Sequence, residues 1–110
     1  MKALDPLEAA RTAVAANAGR PATAVIHDSD DLRLVVFRLS PGQQVPPHTS
    51  HSTVTLTVLE GSGIISGGDA ERECRKGDII TYERGELHGM KADSEEFLLL
   101  AAIAPRPGSR

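Results

Sequence analysis

The chain has 110 residues, 40% hydrophobic and 25% charged, with a formal net charge of −3. That length suits one domain, which buries roughly two thirds of its unfolded surface, and the composition excludes extensive disorder. The twelve Lys and Arg are scattered, and the apolar run Phe97 to Ala104 is about a third of the ~20 residues that cross a bilayer, so neither nucleic acid nor membrane is an expected partner.

Met1-Lys2-Ala3 leads directly into Asp5, Pro6 and Glu8, so no basic stretch followed by an apolar one is present and a cytoplasmic location is expected. Asp5-Pro6-Leu7-Glu8 sets an N-cap, a first-turn Pro and a capping-box Glu in register. The pattern predicts one short helix in which Leu4, Leu7 and Val14 share a face. It ends near Asn17-Ala18-Gly19, where Gly19 suits a left-handed cap and Pro21 forbids continuation. Residues 1–22 are thus an N-terminal helix and linker.

From Ala24 the pattern changes to short β-rich runs broken by Gly, Pro and Asp about every 8 to 12 residues, the mark of a sandwich or barrel. Strands are predicted near Ala24 to His27, Leu32 to Leu39, Thr53 to Leu59, Gly63 to Ser66, Arg72 to Arg75, Ile79 to Tyr82, His88 to Lys91, and Glu96 to Ile103. Gly67-Gly68 reads as a hairpin turn. Glu71 to Lys76 alternates in charge and reads as a solvated arm carrying Cys74. As the one cysteine of the chain, Cys74 cannot close an internal disulfide, and it reads as a spectator thiol. Residues 23–104 form the barrel on this reading, and residues 105–110 a frayed tail.

Two stretches carry the chemistry. One runs Gly42-Gln43-Gln44-Val45-Pro46-Pro47-His48-Thr49-Ser50-His51-Ser52-Thr53-Val54 and continues to Val58-Leu59-Glu60-Gly61; the other runs Gly77-Asp78-Ile79-Ile80-Thr81-Tyr82-Glu83-Arg84-Gly85-Glu86-Leu87-His88. Together they resemble the two motifs of the cupin superfamily over about Leu39 to Ala104. Gly42, His48 and Gly61 fall on the first Gly, first His and last Gly of the first motif, and Gly77, Gly85 and His88 match the second. The resemblance implies an all-β fold, a cupin-type double-stranded β-helix or jelly-roll barrel, behind the one N-terminal α-helix. It also implies a pocket inside the barrel, around His48 and His88.

The departures from the motifs fall on the usual metal ligands. Ser50 stands at the second His, Val54 at the Glu and Ala92 at the terminal Asn, while Glu83 replaces a Pro of the turn. Strand alternation groups His48, Ser50 and Ser52 with the apolar set Val54, Leu56 and Val58, which faces inward. His51 groups with Thr53, Thr55 and Thr57, facing outward, unless a bulge between His48 and Thr53 reverses it. His27 matches no motif position and reads as a surface residue. Glu86 shares parity with His88 and either orients it, supplies a carboxylate ligand, or lies exposed after the turn. Gly61-Ser62-Gly63 lacks the following helix of a phosphate loop, and no strand-to-helix elbow marks Ser50, Ser52 or Ser66 as a nucleophile.

The leading reading is therefore a metal-binding cupin of undetermined reaction, dioxygenase- or isomerase-like, with a divalent Fe, Mn, Ni or Zn ion held by His48, His88 and His51. Imidazole suits all four metals. The alternatives are a non-catalytic small-molecule binding or sensor barrel without metal, and a structural protein with a vestigial pocket. The small-molecule ligand would enter the barrel, and exposed sheet edges predict a homodimer whose seam includes Thr53, Thr55 and Thr57.

Overall fold

A computed structural model describes residues 1–108. Its elements run α1 (Pro6–Thr12), β1 (Ala22–Asp28), β2 (Arg33–Leu39), β3 (Gln44–His48), β4 (Thr53–Ser66), β5 (Glu71–Arg75), β6 (Ile79–Tyr82) and β7 (His88–Ala104). Two long strands organise the barrel. β4 and β7 pair antiparallel along nearly their whole lengths, with register shifts between Val58 and Glu60 and between Gly61 and Gly63. Such bulges bend a strand sharply enough to pass from one leaf of a sheet to another.

The first half of β4 pairs with β6, and its second half with β5. The second half of β7 pairs with β2, which carries β1 at the edge, while its first half pairs with β3. One leaf is therefore β1-β2-β7-β4-β6 and the facing leaf β3-β7-β4-β5. Gly61 lies at the bend with φ of 79°, and a Cβ there would run into the Glu96 carbonyl of β7. Only glycine meets both demands without strain.

Between the leaves lies a core that includes Leu39, Val54, Leu56, Val58, Ile65, Phe97 and Leu99. Full burial of each large side chain contributes roughly 1.5–3 kcal/mol. A smaller cluster lies on the outer face of the first leaf, where Ala10 of α1 packs with Val36 and Leu98. Arg11 reaches Glu60 at 2.7 Å.

Several expectations change here. The helix starts as expected, with Asp5 Oδ1 accepting from the Glu8 amide at 3.1 Å, but it ends at Thr12 rather than near Asn17. Arg38 donates to the carbonyls of Ala10 and Arg11 at 3.0 and 2.7 Å and so caps the helix end together with the Ala13 amide, which donates to Ala10. Beyond it Val14 is 82% exposed, so further turns have no apolar surface to bury, and short helices without packing are marginal in water. Leu4 is exposed as well, which leaves Ala10 and the partly buried Leu7 as the packed face.

The runs read as two pairs of strands are two continuous strands, bent rather than broken. β3 was not expected at all, because Pro46-Pro47 argues against a strand; it survives as an edge with a register shift between Val45 and His48. Cys74 is buried in the core while Glu71, Arg72, Glu73 and Arg75 around it are exposed, so the arm is half of a barrel wall. Residues 105–107 are tied down rather than frayed. The Ser52 hydroxyl donates to the Pro105 carbonyl at 2.7 Å, and Arg106 meets both carboxylate oxygens of Asp28 at 2.7 and 3.2 Å. Ser109 and Arg110, the last two residues of the segment expected to fray, lie outside the described residues. Among the described residues, no helix is long and apolar enough to cross a membrane.

Candidate functional site

His48 ends β3 and His88 begins β7, and the register makes them direct cross-strand partners although forty residues separate them. Partners opposite each other in a ladder project from the same side of the sheet. Their ring centroids lie 4.2 Å apart with planes at 61°, an edge contact. Gly89 lets β3 come this near: a Cβ at that position would stand 3.1 Å from Pro47 and 2.9 Å from the Ser66 hydroxyl.

Each ring is fixed by a main-chain carbonyl two residues earlier. His48 Nδ1 is 3.0 Å from the Pro46 oxygen and His88 Nδ1 3.2 Å from the Glu86 oxygen. Glu86 thus orients His88 with its backbone. Its carboxylate turns the other way, accepting from the Glu83 amide at 2.6 Å, and so supplies no ligand beside the rings. The Gly85 amide donates to the Ser50 carbonyl at 2.9 Å, which joins the turn before His88 to the loop after His48.

The two rings open on a cavity of about 250 Å3. Val54 and Leu56 from β4, Ala101 and Ile103 from β7 and Phe37 from β2 line it from the first leaf, and Met90 of β7 lines it from the facing leaf. Thr49 and Ser50 lie at the loop side, and Pro107 of the C-terminal segment completes the lining. Strand alternation accounts for the set, since His88 and Met90, or Val54 and Leu56, are two residues apart. A larger hollow of about 370 Å3 lies over β5 and is walled by Arg72, Glu73, Arg75 and Asp78, far from this chemistry in character.

His88 is buried while His48 is exposed, so the pair spans the boundary between core and solvent. Burial pushes the His88 pKa down, opposed by its bond to the Glu86 carbonyl and helped by the neighbouring His48. Behind His88, with ring centroids 5.0 Å apart, lies Tyr82. Its hydroxyl donates to the Ser66 carbonyl at 2.7 Å, and burial pushes its pKa up to about 12. Neither Tyr82 nor Pro107 stood out in the sequence. Inward parity with Ile80 marked the first; nothing in the sequence marked the second.

The structure brings His48, His88 and Ser50 together and leaves His51 exposed and outside the cavity lining. His27 lies at the β1 bulge, 3.3 Å from Lys2 Nζ, also outside it. For the metal ion that the motif resemblance implies, the donors on offer are the two imidazoles. Among the described residues both rings keep Nε2 without a protein partner, which suits a ligand imidazole. Yet no group of three or more His, Cys, Asp or Glu able to hold an ion exists among the described residues. Firm zinc sites offer three or four protein ligands, so two imidazoles do not fit a tightly resident ion.

The cupin-domain family model matches residues 35–103, which is most of the chain. The chain belongs to the cupin family. Among solved structures, this cupin is similar to a conserved double-stranded β-helix protein of Klebsiella pneumoniae, with 25% identity, a TM-score of 0.84 and coverage of 100% of this chain and 94% of that one. It is likewise similar to an RmlC-like cupin of Desulfovibrio desulfuricans, with 29% identity, a TM-score of 0.80 and coverage of 96% and 97%. No curated protein matches it.

Proposed function

We propose that this cupin binds a small organic molecule directly in the barrel, with an apolar body against Phe37, Leu56, Met90 and Ile103 and one polar group at the His48–His88 pair. The observation that carries this reading is the composition of the cavity wall: apolar side chains on two sides, two imidazoles in contact, and no carboxylate. Ligand pockets commonly combine an apolar lining with a few convergent polar groups that fix orientation. At about 250 Å3 the cavity lies just below the usual range of roughly 300–1,000 Å3, which favours a ligand smaller than a typical drug.

The second reading is a first-row divalent ion on His48 and His88, with His51 as third ligand. The free Nε2 atoms favour it; the exposed position of His51 requires the segment 49–52 to rearrange first. Metal analysis and a denaturing extract of protein purified without a tag separate the two. The expected result is far less than one ion per chain, together with a small organic molecule in the extract that His88→Phe fails to retain. One ion per chain, lost in both His48→Ala and His88→Ala, would overturn the organic-ligand reading.

A further inference from the structure

We infer that the pocket selects a neutral molecule carrying a hydroxyl or N–H donor on an apolar body, in preference to a hydrocarbon or a carboxylate. The inference rests on the organic-ligand reading above and gives that ligand its chemical class. A carbonyl oxygen only accepts, so a ring nitrogen bonded to one must carry the proton. Both rings make that bond through Nδ1, at 3.0 Å to Pro46 and 3.2 Å to Glu86. A neutral imidazole has one N–H, so Nε2 of each ring is left as a lone pair.

The other polar groups of the lining, the Thr49 and Ser50 hydroxyls at the loop side, are neutral. The Tyr82 hydroxyl is spent on Ser66, and Ser50 Oγ accepts from the Ser52 amide at 3.0 Å. Arg106, next to the lining Pro107, is engaged by Asp28. Phe37, Val54, Leu56, Met90, Ala101 and Ile103 contribute no charge.

Three classes of occupant then differ. A hydrocarbon fills the walls but leaves the lone pair of the buried His88 dry, and a polar group buried without a partner is costly. A carboxylate brings negative charge against those lone pairs with no cation placed to meet it. A hydroxyl or N–H donates to Nε2 while its apolar body takes the wall opposite.

The test has two arms. Nitrogen-15 NMR of the unaltered protein at mildly alkaline pH reads the tautomers with no ligand present, and both rings are expected protonated at Nδ1 and bare at Nε2. Titration with phenol, toluene and benzoate is then expected to show phenol about three- to ten-fold tighter than toluene, the worth of one net hydrogen bond, with benzoate weakest. In His48→Phe/His88→Phe the advantage of phenol disappears and toluene still binds. Rings protonated at Nε2, or benzoate binding as tightly as phenol, would overturn the inference. Equal binding of phenol and toluene overturns it too, while the organic-ligand reading stands. Binding by none of the three removes that reading, and the inference with it.

Discussion

At the scale of single residues, Tyr82 reports on the site. It is the one tyrosine of the chain, so tyrosinate absorbance in an alkaline titration belongs to it alone. Burial holds its proton, and the pKa of about 12 lies above the ordinary 10. Because the folded value is the raised one, this contribution to stability is complete below about pH 10 and is lost as pH rises toward 12. Tyrosinate is expected to appear well above pH 10 in the folded protein and to shift back toward 10 in denaturant; a folded-state midpoint at 10 would contradict the packing against His88. Much of the residue-level site was legible beforehand. Alternation placed Val54, Leu56 and Val58 inward, where they are buried, but residues 49–52 form a loop between β3 and β4, so strand parity does not reach Ser50 or the exposed His51. Glu86 is exposed after the turn, as its position suggested, and orients His88 through its backbone carbonyl, which a side-chain pattern cannot show. Cys74 looked solvated because four charged neighbours concealed a single inward position.

Among the elements, the C-terminal segment is the least foreseeable part of the site. A Pro- and Arg-containing tail reads as loose, yet Arg106 closes on Asp28 from seventy-eight residues away, and Pro107 thereby becomes part of the pocket wall. Two guanidiniums, Arg106 first and Arg33 second, hold the Asp28 carboxyl down at about 2. With the folded value depressed, the latch is intact above about pH 4 and is lost as pH falls toward 2. Asp28→Asn is expected to speed amide exchange at Arg106, which otherwise donates to the Asp30 carbonyl, and to leave the strands β4 and β7 protected. Unchanged exchange at Arg106 would show that the ion pair does not hold the segment. The strands were legible from their turns and alternation. Their continuity was not, because a bulge at Gly61 and a chain break at Gly61 leave the same glycine in the sequence. β3 was hidden by Pro46 and Pro47, which edge strands tolerate and central strands do not.

For the whole molecule, the barrel leaves its leaves open at β1, β6, β3 and β5. Ile79 on β6 is 63% exposed, beside the partly buried Thr55 and Thr57 on the same outer face. Open edges with exposed apolar residues invite self-association, so we expect a homodimer; sedimentation should give twice the chain mass, and Ile79→Lys should return it to the monomer. A monomer at micromolar concentration would contradict this. The motif glycines and histidines were enough to foresee a barrel in which His48 and His88 meet at one cavity, because a fold of this kind fixes positions through turns. They could not foresee what the pocket accepts, since that depends on which atoms remain unpaired once the backbone is in place. The central claim is that a small molecule occupies the cavity between the leaves, against the imidazole pair. Nuclear Overhauser contacts between bound phenol and the methyl group of Met90 test it most directly. The account expects contacts from the phenol ring to Met90 and Ile103, abolished when the cavity is filled by Ala101→Phe; contacts confined to the charged hollow over β5, or phenol binding unchanged in Ala101→Phe, would contradict it.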